Sequence, residues 1–167
     1  MKKVIFSLGV AFALATAFAQ STRTERQYLS GHGCDDMVQW DFFCTDGNNS
    51  GQWAKIGVPS CWELQGFGTY QYGMRFYGKE TPDGIADEEG KYRYEFTLPK
   101  EWNGRHIELV FEAAMTECVA YINGRKAGNG LYQGGFTRHT IDVSDRVFFG
   151  KKKKNRLEVE VLKESRS

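Results

Sequence analysis

Apolar and polar residues alternate with a period of two along much of this chain. Val38, Trp40, Phe42 and Cys44 alternate with Gln39, Asp41 and Phe43, and Tyr92, Tyr94, Phe96 and Leu98 with Arg93, Glu95 and Thr97. Ile107, Leu109, Phe111 and Ala113 alternate with His106, Glu108, Val110 and Glu112; after a break at Ala114–Thr116, Cys118, Ala120 and Ile122 resume the pattern. Leu157, Val159 and Val161 close the series against Glu158 and Glu160. Period two places one set on a buried sheet face and the other outside, so each run predicts a strand. The run ending at Ile122 stops at Asn123-Gly124, a tight-turn signal because both residues tolerate positive φ. A further strand is expected near Phe136–Val143, and Ser144 or Asp145 is expected to cap one helical turn reaching Phe149.

The stretches between these runs read as turns and loops. Asp46–Gly51 and Gly128–Gly135 are rich in turn residues, Glu80–Gly90 reads as an acidic surface loop, and Lys151–Lys154 as a solvated basic turn. Trp53 to Tyr77 reads as an aromatic loop with short strands. No helix of ordinary length is expected outside the N-terminal leader, and there is no internal repeat. The prediction is an all-β antiparallel sandwich; because hairpins alternate with longer crossovers, the jelly roll is favoured over an up-and-down barrel.

Lys2-Lys3, the apolar run Val4–Phe18 and the small residues Ala17 and Ala19 make a cleavable export signal over residues 1–19. The product is therefore expected to be periplasmic or extracellular, with no membrane association after cleavage. Residues 20–33 are expected to form a lead-in segment and 34–167 one domain. Removing the leader takes two lysines from 22 basic residues, so the mature balance is 20 − 21 = −1. A near-neutral surface argues against nucleic acid as the partner. Cys34, Cys44, Cys61 and Cys118 can pair three ways in an oxidising compartment. Cys34 with Cys44 is the favoured bridge, and Cys118 falls at an inward strand position.

Catalytic chemistry is not indicated. His32, His106 and His139 are widely separated, and neither HExxH nor GxSxG occurs. Asp35-Asp36 and Asp87-Glu88-Glu89 lie in expected loops, without the apolar setting that raises a carboxyl's pKa. No catalytic residue, metal site or cofactor is expected. The aromatics Trp53, Trp62, Tyr70, Tyr72 and Tyr77 could stack on sugar rings, but core or interface packing is the favoured reading for each.

Several segments taken in order resemble the N-terminal domain of family 2 glycoside hydrolases. They are Val58-Pro59-Ser60-Cys61-Trp62-Glu63, Gly90-Lys91-Tyr92-Arg93-Tyr94-Glu95-Phe96, Ile107–Ala113, Val119–Gly124 with Gly128, Asp142-Val143, and Asn155–Val159. That family includes β-galactosidases and β-mannosidases. The resemblance implies a galactose-binding-like jelly roll called the sugar-binding domain, non-catalytic, preceding an immunoglobulin-like sandwich and a (β/α)₈ barrel that carries the two catalytic glutamates. It also implies that the loop before the Gly-x-Tyr strand, here about Phe76–Asp83, approaches the substrate; Tyr77, Lys79 and Asp83 are the candidate lining residues, with Trp62 beside them. The family asparagine of that loop has no counterpart here.

The expected function is thus the non-catalytic sugar-binding domain of an exported, β-galactosidase-like hydrolase, this chain being a fragment that lacks the barrel. Its expected partners are a galactoside-like carbohydrate or the missing catalytic domains. The alternative is a free-standing carbohydrate-binding or adhesion module.

Overall fold

The computed structural model describes residues 23–70 and 87–163. The strands are β1 (Val38–Cys44), β2 (Trp53–Val58), β3 (Glu89–Phe96), β4 (Glu108–Phe111), β5 (Glu117–Ile122), β6 (Arg125–Lys126), β7 (Tyr132–Gln133), β8 (His139–Asp142) and β9 (Asn155–Leu162). The larger sheet runs β2-β1-β3-β9-β5-β6, with β7 also paired to β5, and β4 and β8 form a second sheet. All the ladders are antiparallel. The chain is an all-β antiparallel sandwich, as the alternation predicts.

Register shows how that alternation becomes a core. Phe42 is opposite Tyr92, Tyr92 opposite Val159, and Val159 opposite Ala120, so the inward sets of four strands line up across one face. Phe42, Ile56, Ala120, Ile122 and Leu157 are at most 1% exposed. Full burial of each large side chain among them contributes roughly 1.5–3 kcal/mol. Trp40 stacks on Tyr94 at 4.9 Å, and Phe67 meets Phe42 edge-on at 5.1 Å. Outward positions carry crossed charges: Lys55 pairs with Asp41, and Arg93 with Glu158.

Asn123 and Gly124 take φ of 53° and 76°, the paired positive values that this turn needs. The hairpin they close joins β5 to the two-residue β6. The alternating runs on either side of Ala114–Thr116 are not partners, because β4 pairs with β8 and β5 with β9. The expected helical turn after Val143 is a single reverse turn, closed from the Arg146 amide to the Val143 carbonyl. Ser144 does not cap it; its hydroxyl oxygen instead accepts the Ile107 amide at 2.9 Å and joins β8 to the approach of β4.

Two further expectations are corrected. Cys34 and Cys44 do not bridge: Cys34 is exposed, while Cys44 is buried under β1 with its thiol directed to the Asp46 carbonyl at 3.2 Å. All four cysteines are free thiols. Of the expected surface loop at Glu80–Gly90, residues 80–86 lie outside the described residues, and its end differs from the expectation: the chain is strand by Glu89, and Glu88 is only 3% exposed.

The lead-in segment is tied along the sandwich. The Trp40 indole donates to the Leu29 carbonyl at 3.0 Å, and the Gln27 amide to the Thr97 carbonyl at 3.0 Å. Glu25 receives Arg105 at 2.6 Å and the Trp102 indole at 3.0 Å. Those hydrogen bonds, the Arg105 one foremost, hold the Glu25 carboxyl below the usual carboxylate range.

Candidate functional site

A cavity of about 910 Å³ lies between the inner face of the large sheet and β4. Trp40, Tyr92, Leu157 and Val159 contribute on the large-sheet side, Leu109 and Phe111 on the other. This explains why Leu109 and Phe111 are only half-buried although they sit at inward positions. Glu25 and Arg105 add polar groups from the lead-in side.

At the end of β9 lies a buried ionic cluster. Lys163 Nζ sits 2.8 Å from Glu63 Oε1 and 3.4 Å from Glu88 Oε2, with side-chain exposures of 7%, 5% and 2%. Glu88 Oε1 also accepts the Thr69 amide, and Lys163 donates to the Thr69 carbonyl. Retaining glycosidases place two carboxyls about 5–5.5 Å apart across an open sugar site. Glu63 and Glu88 instead close on one ammonium in the interior, so their chemistry is that of a clamp. The nearby Tyr92 phenol is pushed up, mostly by burial and further by the Glu63 charge.

Trp62 stands next to this clamp. It is 5% exposed, its ring lies 5.8 Å from Phe42, and it lines the cavity from inside. Its indole nitrogen is buried with no hydrogen-bond partner among the described residues. Gly90 makes room for it: a Cβ there would come within 2.5 Å of the indole and 2.9 Å of Phe42. Trp53, by contrast, is 42% exposed at the sheet edge, with the Arg93 guanidinium 3.7 Å over its ring. Tyr77, Lys79 and Asp83 lie outside the described residues.

The histidines are not brought together. His32 pairs with Asp36 at 2.7 Å, exposed His106 lies 3.2 Å from Glu108, and His139 packs its ring on Tyr132. No group of three or more metal-ligating side chains gathers among the described residues. None of their helices is long and apolar enough to cross a membrane.

The cluster has a sequence signature that loop composition hides. Glu88 lies one period before the inward set Gly90, Tyr92, Tyr94, and Lys163 one period after Leu157, Val159, Val161. Because Glu89 is opposite Leu162, extending both alternations sets these opposite charges face to face.

A family model described as glycosyl hydrolases family 2, sugar binding domain, matches residues 38–167. The β-galactosidase of Pseudoalteromonas haloplanktis is 26% identical over 162 residues, covering 86% of this chain and 14% of that protein. The β-galactosidase of Psychromonas ingrahamii is 31% identical over 75 residues, covering 43% of this chain and 7% of that protein. The chain thus spans a small part of the length of these curated relatives. A β-D-glucuronidase from Dictyoglomus thermophilum superimposes with a TM-score of 0.52 at 20% identity, over 76% of this chain and 19% of that one. A Ruminococcus gnavus β-glucuronidase gives 0.52 and 20%, over 75% of this chain and 20% of its own. At such identity the structural likeness speaks to the fold alone. With the family pattern running through every strand from β1 to β9, the chain belongs to the family 2 glycosyl hydrolases, as their sugar-binding domain.

Proposed function

We propose that this domain serves as the non-catalytic module of an exported, β-galactosidase-type family 2 hydrolase, supporting and edging an active site that lies elsewhere in a longer polypeptide. The observation that carries this reading is the sugar-binding-domain match over residues 38–167, in a chain that corresponds to 14% of a relative named as a β-galactosidase. The site chemistry supports it. The carboxyls of Glu63 and Glu88 are buried against the single ammonium of Lys163, so the domain's own interior offers a scaffold in place of an acid and a nucleophile. In this reading the substrate is a galactoside-like carbohydrate and the leader at 1–19 directs export. In this reading Tyr77, Lys79 and Asp83, with Trp62, are the candidate sugar-lining residues.

The test compares the native product with this chain alone on aryl β-galactosides and aryl β-glucuronides. The native product should cleave the galactoside faster, and the isolated chain should cleave neither. Tyr77→Ala or Asp83→Ala in the native product should raise KM more than it lowers kcat. A native product inactive on every aryl glycoside would sink the reading. Tight galactoside binding by the isolated chain, abolished by Trp62→Ala, would favour a free-standing binding module.

A further inference from the structure

Two turns form a rim at the end of the sandwich where β5 begins and β9 finishes. Phe136 is 94% exposed there, with Met115 at 47%. The turns are joined: the Gly134 amide donates to the Thr116 carbonyl at 3.1 Å, and Gly135 packs so closely on Met115 that a Cβ would come within 2.7 Å of its side chain. Arg138 and Glu112, 3.5 Å apart, place an ion pair beside the apolar tip. An exposed apolar centre beside charge has the composition of a protein interface, not of a solvated loop.

The same rim holds the outgoing chain. The Thr116 amide donates to the Leu162 carbonyl and its hydroxyl to the Lys163 carbonyl, both at 2.7 Å. Behind it, Glu63 and Glu88 fix the Lys163 side chain in the interior. Lys163 is thereby held to the turn that carries Met115, the residue that packs on Gly135 beside Phe136.

We propose that the rim formed by Met115 and Phe136 is the docking surface for the domain that follows this one in the same hydrolase chain, with Phe136 as its anchor. This rests on the reading that the domain belongs to a longer polypeptide, whose relatives extend well beyond the matched region. The Lys163 clamp then has a purpose beyond stability: it holds the exit rigid so that the follower meets the rim at a fixed angle.

Hydroxyl-radical footprinting read by mass spectrometry tests this, applied to this chain and to the native product from its source. Met115 and Phe136 should be oxidised readily in the chain alone and lose that labelling in a larger native product. Half-exposed Trp53, at the far edge of the sheet, should label alike in both. A larger product in which Met115 and Phe136 remain fully labelled would overturn the docking surface while leaving the functional reading intact. A native product of this chain's own size would overturn both. Protection in the chain alone that disappears on dilution would assign the rim to a second copy and overturn the proposed occupant.

Discussion

Strand β9 is anchored at its two ends by opposite chemistry. At its start, Asn155 is fully buried: its side-chain oxygen accepts the Phe148 amide at 2.7 Å and the Asn123 side chain at 2.9 Å, while its nitrogen donates to the Phe148 carbonyl at 2.8 Å. Asn123 completes the network by donating to the Arg146 carbonyl at 2.7 Å and accepting the Arg156 amide at 2.9 Å. Every partner is neutral and close. Just past its other end, two carboxylates share one ammonium in the interior, beside an indole N–H without a partner among the described residues. A satisfied neutral network is an efficient way to hold a fold together. A buried ion cluster is not, because desolvation consumes much of the Coulombic gain. The difference separates an end built for stability from an end built to fix a direction.

The largest expected effect comes from breaking the ionic end. Lys163→Met leaves two buried carboxylates facing one another and should destabilise by about 3–5 kcal/mol. The triple variant Glu63→Gln, Glu88→Gln, Lys163→Met should recover most of that loss in denaturant melts. A triple variant as unstable as the single one would mean that the ions themselves hold the fold. Next is the neutral end. Asn155→Ala orphans the Phe148 peptide groups and should cost about 2–3 kcal/mol, with no neutralising rescue available.

Gly90→Ala sharpens the comparison by acting on packing at the ionic end without touching charge. The added methyl meets the Trp62 and Phe42 rings, and overpacking of this kind costs about 1–3 kcal/mol in thermal or urea melts. Smaller still is the acid response away from either end. Ser144, through its hydroxyl and then its amide, holds the Asp142 carboxyl low, as Arg105 and Trp102 do for Glu25. Both are deprotonated more readily in the fold than in the unfolded chain. The stability they contribute is complete above the unfolded carboxylate pKa of about 4 and is lost as pH falls through their lowered values. Melts of Glu25→Gln and Asp142→Asn should accordingly fall less between neutral pH and pH 3 than the parent. The mildest test is thiol labelling at neutral pH without denaturant. It should modify Cys34 and Cys61 and spare Cys44 and Cys118, whose thiols burial pushes up, that of Cys118 to about 11.

The strands were legible because the inward sets are mostly apolar and alternate with more polar outward sets, most clearly in β9, where Leu157, Val159 and Val161 are buried between half-buried glutamates. The Asn123-Gly124 turn was legible because few residues accept its backbone. Strand partners were not, since alternation assigns a face and says nothing about which edge pairs with which; hence β4 and β5, neighbours in sequence, lie in different sheets. The clamp was hidden because Glu88 sits among acids and glycines that read as loop, and only its opposition to Lys163 across the ladder makes it core. Trp62 showed that an aromatic's role depends on its neighbours: Gly90 opens the space that buries it, a relation between residues far apart in the chain. The Cys34–Cys44 pairing failed for a simple reason. Cys44 continues the inward set of β1, so its thiol points away from the exposed turn that carries Cys34.

The central claim is that this sandwich works as one module of a larger exported hydrolase. An antibody raised against residues 34–163, used on periplasmic and extracellular fractions of the source cells, tests it most directly. The account predicts a band several times the mass of this chain in one of those fractions. A band at the mass of this chain less its leader, or one confined to the cytoplasm, would contradict it.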